Sequence, residues 1–275
     1  MKNSLSQFIK YPLYASSTLT WFEKLMVRTH FGGLARCCVC GSVSRIQVKE
    51  ENLRETCICS KCNSTNRQRQ IAIVACNRIS SSMNRRISSL KNFASLDNFV
   101  VYNAEARGAL HKQLSHMKNY LCSEYFGDSY KSGDFVNNIM HQDLMALSLQ
   151  DDSVDLVLSA DVLEHIPHPY RAHEEIYRIL KHGGRHIFTV PFYQEEFLDE
   201  TRTVLDSSGN TVFLKDPQYH SDPIRSEGAL VYTIFSLEML VKLRKIGFRT
   251  NLYQLSKPLN GIWGRNAVVF EAIKE

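Results

Sequence analysis

Six of the eight cysteines fall between Cys37 and Cys62. Four of them form two Cys-x-x-Cys pairs, Cys37 with Cys40 and Cys59 with Cys62, separated by residues 41 to 58. A segment this short cannot bury a hydrophobic core of its own, so something else must hold it together. The spacing is that of a four-cysteine zinc site, in which each tight turn offers two thiolates and the pairs close a tetrahedron at roughly 2.3 Å per Zn–S bond. Gly41 and Asn63, which tolerate positive φ, follow the two pairs. A closed set of four thiolates keeps no open position, so the expected Zn²⁺ is structural. Cys38 and Cys57 are spares that could replace Cys37 or Cys59, although Cys57 would change the spacing of its pair. The metal-free alternative is a set of buried or redox-sensitive thiols.

The first residues, MKNSLSQFIKYPLYASS, lack the continuous apolar stretch of a secretory signal, and no later segment approaches membrane-spanning length. The chain is therefore expected to be cytoplasmic and without a membrane partner, a setting that favours metal over disulfides. At 275 residues, 44% hydrophobic and 22% charged, it has room for one medium α/β domain and a small appendage. The net charge of +5 suits an anionic partner without demanding one.

Four regions follow from the pattern: a docking segment over 1–36, rich in aromatics (Phe8, Tyr11, Tyr14, Trp21, Phe22, Phe31); a zinc-ribbon-like module over 37–63; a basic helical linker over 64–96; and an α/β domain over 97–275. In the linker, Ile71, Val74, Ala75 and Ile79 recur at helical spacing from Arg67 towards Leu90, and Arg67, Arg69, Arg78, Arg85 and Arg86 make a basic face. Beyond Leu96, short apolar runs alternate with helical patterns, which predicts a sheet with crossover helices. Strands are expected over Phe99–Tyr102, Tyr120–Ser123, Phe135–Met140, Asp155–Ser159, Arg185–Val190, Phe248–Leu255 and Ala267–Ala272. Helices are expected over Arg107–Lys118, Tyr170–Lys181 and Ser236–Ile246.

The richest stretch runs from Asp152 through Asp155-Leu156-Val157-Leu158-Ser159-Ala160-Asp161-Val162-Leu163-Glu164-His165-Ile166-Pro167. A helix with Glu174-Glu175-Ile176-Tyr177-Arg178-Ile179-Leu180 follows, then Lys181-His182-Gly183-Gly184 and a strand ending in Val190-Pro191. Over roughly residues 97 to 275 the chain resembles the class I, type 11 S-adenosylmethionine-dependent methyltransferases, in a zinc-ribbon-bearing branch. That resemblance implies a Rossmann-like, seven-stranded, doubly wound sheet closed by an antiparallel final strand, with the cofactor at the carboxyl ends of the strands. The family's glycine-rich first motif is degraded to Asn103-Ala104-Glu105-Ala106-Arg107-Gly108, with one glycine where three are usual. Gly183-Gly184 is expected to end the preceding helix in a left-handed turn.

By position within the resemblance, S-adenosyl-L-methionine would be bound by Asn103, Ala104, Glu105, Glu124, Asp143, Ser159 and Ala160. Glu124 would accept the ribose hydroxyls, Asp143 the adenine amino group, and Glu105 would engage the methionine ammonium. His165 and His220 are the candidate bases, since imidazole titrates near neutral pH. The leading expectation is O- or N-methylation of a small-molecule or saccharide-type acceptor. A second is RNA base methylation, with the zinc module and basic linker gripping phosphates. A third is a non-catalytic interaction module that has lost its cofactor.

Overall fold

The computed structural model describes residues 20–220, 227–264 and 267–275. Phe8, Tyr11 and Tyr14 of the expected docking segment, and Ser221, Asp222 and Pro223 beside His220, lie outside the described residues.

The cysteine module is larger than its cysteine pairs. Helix α1 (Trp21–Thr29) starts at a capping box in which the Thr20 hydroxyl takes the Glu23 amide and the Glu23 carboxylate takes the Thr20 amide. After it come strands β1 (Phe31–Arg36) and β2 (Val43–Val48), the single-turn helix α2 (Leu53–Thr56) and β3 (Cys57–Cys59). β1, β2 and β3 form an antiparallel three-stranded sheet, so residues 31–36, expected in the docking segment, belong to the module.

Helix α3 (Asn66–Ser82) begins at a second capping box, Thr65 with Gln68, and ends well short of Leu90. Asn84, in the left-handed region at φ 47°, turns the chain back, and Ser80 Oγ holds both the amide and the carbonyl of Ile87. The helix is not a solvated linker. Ile71, Val74, Ala75 and Ile79 are buried in one cluster with Leu156, Leu158, Ile187 and Val269 of the main sheet. Burial of Ile71, Val74 and Ile79 is worth roughly 1.5–3 kcal/mol each.

The main sheet uses β4 (Val101–Asn103), β5 (Tyr120–Glu124), β6 (Phe135–Val136), β7 (Ile139–His141), β8 (Val154–Ala160) and β9 (Leu180–Thr189), with α4 (Gly108–Leu114) and α5 (Pro169–Ile179) between them. The long insert that follows contributes three small antiparallel pairs. β10 (Glu200–Thr201) pairs with β15 (Thr233–Ile234), β11 (Thr203–Leu205) with β12 (Thr211–Phe213), and β13 (Tyr219–His220) with β14 (Ala229–Leu230). Helix α6 (Leu237–Ile246) leads to β16 (Phe248–Gln254) and β17 (Val268–Lys274).

The sheet order is β16-β17-β9-β8-β4-β5-β7-β6. The sheet has eight strands where seven were expected, because the predicted strand Phe135–Met140 is a tight hairpin through Asn137 and Asn138, both at positive φ. β4, β5, β7, β8 and β9 are parallel and β17 is antiparallel to its neighbours, as the resemblance implied. One face is covered by α3, α4 and the cysteine module, the other by α5 and α6. Strand order reverses between β4 and β8, which places a crevice at their carboxyl ends.

Gly183-Gly184 does not end a helix. α5 stops at Ile179, and the glycines sit in a four-residue excursion of β9, where the register jumps between Val154 and Leu156. A Cβ on Gly184 would lie 2.7 Å from the Lys181 carbonyl oxygen, which accounts for a glycine there.

The hairpin between β16 and β17 carries Gly261 and Trp263 into the cysteine module. Trp263 exchanges two hydrogen bonds with the Asn66 side chain and packs against Phe22 at 5.6 Å between ring centres. Arg69, fully buried, donates to the carbonyls of Ser64, Cys57 and Gly261 and so ties the module to this hairpin.

Candidate functional site

The two cysteine pairs fold as matching turns. Gly41 N donates to Cys37 O and Asn63 N to Cys59 O, while Cys37 N and Cys59 N bond to Ser42 O and Ser64 O. Gly41 and Asn63 adopt φ of 77° and 58°, the conformation their sequence positions called for. The turns bring the sulfurs of Cys37, Cys40, Cys59 and Cys62 within 4.8 Å of one another. Cys37 Sγ and Cys62 Sγ are 3.8 Å apart, about the edge of a tetrahedron with 2.3 Å Zn–S bonds. Cys38 and Cys57 stand outside the cluster. Cys38 Sγ donates to the Arg69 carbonyl and Cys57 Sγ accepts from the Arg69 guanidinium. Burial pushes the Cys38 thiol well up and the Cys57 thiol up to about 11, so both spares remain thiols.

At the carboxyl ends of β4 and β5, Asn103, Ala104, Glu105 and Glu124 come together. The Asn103 side chain donates to the Glu105 carbonyl at 2.6 Å and to the Tyr120 hydroxyl at 3.2 Å. The Glu124 carboxylate takes the Ala106 amide at 3.0 Å and faces Arg107 at 3.7 Å, so an acid-to-backbone bond shapes the glycine-poor loop. Two buried oxygens here, Asn103 Oδ1 and Glu105 Oε2, have no hydrogen-bond partner among the described residues. Desolvation raises the Glu105 carboxyl to about 7, against the pull of the Arg67 charge. Asp143, just past β7, bonds the Met145 amide with Oδ1, forming a local turn.

Ala160 ends β8 at the crevice, whereas Ser159 faces into the sheet and meets His186 Nε2 at 2.9 Å. The next residue, Asp161, was not singled out from sequence, yet it is the electrostatic centre of the edge. It sits in the left-handed region at φ 55° and accepts from Thr189 Oγ1 and from Arg54 Nη2. Arg54 Nη1 approaches its second oxygen at 2.6 Å, and Arg67 Nε lies 3.5 Å away while also gripping Glu55 at 2.8 Å. The two guanidinium groups hold the Asp161 carboxyl far below the usual carboxylate range despite its burial. Both arginines come from the cysteine module or its helix.

The arginines expected to form a basic face are largely consumed inside the molecule. Arg69 is buried, Arg67 is paired, and Arg78 lies over the Tyr253 ring at 5.3 Å. Arg85 and Arg86 stay exposed, and Arg85 is bonded to Ser95.

The two candidate bases meet. After β8, a single 3-10 turn over Leu163–His165 presents Glu164 and His165 beneath the β13–β14 ribbon of the insert. His165 Nδ1 bonds the Leu230 carbonyl at 2.8 Å, and His165 Nε2 stands 3.2 Å from His220 Nδ1. Glu164 is completely buried, with its Oε1 3.7 Å from His165 Nε2 and 3.5 Å from His220 Nδ1. The Glu164 main-chain carbonyl takes the Tyr232 amide, fixing the turn to the insert.

Residues 111–188 match the family described as a methyltransferase domain. An uncharacterized methyltransferase of Mycobacteroides abscessus is 52% identical over 40 residues, 14% of this chain and 15% of that protein. One from Mycobacterium tuberculosis is 50% identical over 40 residues, 14% of this chain and 16% of its own length. The chain thus aligns with less than a fifth of either relative's length. Among solved structures, an S-adenosylmethionine-dependent methyltransferase from Mesorhizobium loti aligns with a TM-score of 0.41 at 14% identity, covering 64% of this chain and 91% of that one. A chain in the complex of the Haloferax volcanii Trm112 methyltransferase activator with a methyltransferase aligns at 0.41 and 17% identity, covering 74% and 96%. The family match thus falls on the segment that runs from α4 to β9 and includes β8, the strand that flanks the strand-order reversal.

Proposed function

We propose that this chain is an S-adenosylmethionine-dependent methyltransferase acting on a small-molecule or saccharide-type acceptor, with a structural Zn²⁺ on Cys37, Cys40, Cys59 and Cys62. The observation that carries the cofactor reading is the pair of opposite charges left incomplete at the strand-reversal crevice. Glu105 Oε2 and Arg67 Nη1 are both buried and both lack a hydrogen-bond partner among the described residues. An α-amino acid end has an ammonium for the first and a carboxylate for the second. Glu124 at the end of β5 would accept the ribose hydroxyls and Asp143 the adenine amino group, with Asn103, Ala104 and Ala160 lining the approach. Ser159, whose hydroxyl meets His186, supports the end of β8 that the cofactor would approach.

When bound, the cofactor supplies a methyl group already activated by its sulfonium, so the protein's task is to align the acceptor and exclude water. The Glu164, His165 and His220 cluster lies in the turn and ribbon just beyond the carboxyl end of β8 and would activate an acceptor hydroxyl or amine by easing loss of its proton. The saccharide-type reading rests on the long insert, which lays the small β13–β14 ribbon over this cluster. The RNA reading loses its main support, because Arg67 and Arg69 point inward.

Incubating the protein with methyl-labelled S-adenosylmethionine and a cell extract, with and without nuclease treatment, tests the acceptor class. Label in a nuclease-resistant, low-molecular-weight fraction is expected. Label confined to nuclease-sensitive material would overturn the acceptor assignment.

A further inference from the structure

The buried Glu164 carboxylate presents a problem that hydrogen bonding does not solve. Both oxygens are inaccessible and neither has a hydrogen-bond partner among the described residues. A bare buried carboxylate is strongly disfavoured unless a cation compensates it. Two imidazoles face it at 3.5 and 3.7 Å and face each other at 3.2 Å.

The tautomers indicate what they are arranged for. The Leu230 carbonyl can only accept, so His165 Nδ1 carries the hydrogen and Nε2 presents a lone pair to the cluster. Metal-binding histidines are held in this manner, with the outer ring nitrogen donating to a carbonyl so that the inner one is fixed in tautomer and direction. A point about 2.0 Å from Glu164 Oε1, His165 Nε2 and His220 Nδ1 exists in the plane of the three atoms, matching bonds of roughly 2.0–2.2 Å from nitrogen and carboxylate oxygen to a divalent ion.

We propose that Glu164, His165 and His220 form a second metal site, for a divalent transition ion, distinct from the four-cysteine site. Its ligand set of two imidazoles and one carboxylate leaves coordination positions open, unlike the closed thiolate site. The ligands come from two places in the chain: the 3-10 turn after β8 supplies two, and the β13–β14 ribbon supplies His220 while its Leu230 carbonyl orients His165. Gly228 permits this, because a Cβ there would run into the His220 carbonyl. Binding of the ion stands on this geometry alone. What the ion does rests on the methyltransferase reading: it holds an acceptor hydroxyl and eases loss of its proton to solvent. The S–C bond of the sulfonium then breaks with its electrons staying on sulfur, and the oxygen forms the new bond to carbon.

The test is titration of the zinc-loaded full chain with Mn²⁺, followed by electron paramagnetic resonance, since manganese prefers nitrogen and oxygen ligands and does not compete for thiolates. Wild type is expected to bind one Mn²⁺ per chain. Glu164→Gln, which keeps the side-chain shape, and His220→Ala, on the peripheral ribbon, are each expected to weaken binding at least about 100-fold while retaining S-adenosylmethionine affinity in calorimetry. If Glu164→Gln fails to fold, His220→Ala decides. Wild type that leaves Mn²⁺ fully hydrated, or variants that bind it as well as wild type, would overturn the site. Loss of cofactor affinity in wild type itself would strike the methyltransferase reading and leave the metal site standing.

Discussion

Arg54, in the single-turn helix of the cysteine module, holds Asp161 at the carboxyl end of the central strand β8, with Nη1 2.6 Å from Oδ2 and Nη2 2.7 Å from Oδ1. The two residues are 107 positions apart in sequence. The cysteine module thereby completes the crevice in which the α/β domain would bind its ligands.

Because both partners are almost entirely enclosed, removing one leaves an incompletely compensated charge. Arg54→Ala is expected to cost about 3–5 kcal/mol of stability, read from the urea midpoint. A loss under about 1 kcal/mol would show that Arg67 alone suffices. Asp161 also sets an acid limit: with its carboxyl depressed in the folded state, its stabilisation is complete above the unfolded-state value of about 3.9 and is lost as pH falls below it.

The module should also control cofactor affinity. Arg67 begins just after the second cysteine pair and is placed by Glu55 and Asp161. Stripping zinc with a chelator, or Cys59→Ser, is therefore expected to lower S-adenosylmethionine affinity at least about tenfold while the α/β circular dichroism persists. Unchanged affinity would make the module an independent appendage.

Glu105 should make cofactor binding pH-dependent. Its carboxyl is raised to about 7 and must ionise to meet an ammonium, so binding releases a proton below that pH. Affinity is expected to rise about eightfold between pH 6 and 7.5, and Glu105→Gln should both weaken binding and flatten the profile. A wild-type profile as flat as the variant's would remove Glu105 from the site.

Stability should fall in mild acid through His173. It is buried with neither ring nitrogen hydrogen-bonded among the described residues, and desolvation lowers it to about 3. The unfolded chain takes the proton near pH 6.5, so the contribution is complete above 6.5 and declines as pH drops below it, by about 2 kcal/mol between pH 7 and pH 5. Urea titrations of wild type and His173→Leu at the two pH values check this: the variant should lose less by about that amount.

Local patterns carried much of the architecture. The apolar run now seen as Val154–Ala160, the helix Pro169–Ile179 and the terminal hairpin were visible because buried strands and amphipathic helices leave short-range signatures. The cysteine cluster was visible because its ligand spacing is set by turn geometry. Arg54, Arg67 and Asp161 were not, since ion pairs between residues so far apart in sequence have no period. Arg67 and Arg69 looked like a solvated face for the same reason: charge suggests water until a fold supplies partners. His165 and His220 were marked individually, but their meeting with Glu164 depends on a ribbon whose path only the tertiary structure defines.

Cofactor binding is tested most directly by calorimetric titration of zinc-loaded protein with S-adenosylmethionine, alongside Glu124→Ala. One site per chain in the micromolar range is expected, weakened at least about tenfold by the variant through loss of a carboxylate that accepts hydrogen bonds. Absence of binding by folded, zinc-loaded wild type would contradict it and favour the reading of this domain as a non-catalytic interaction module.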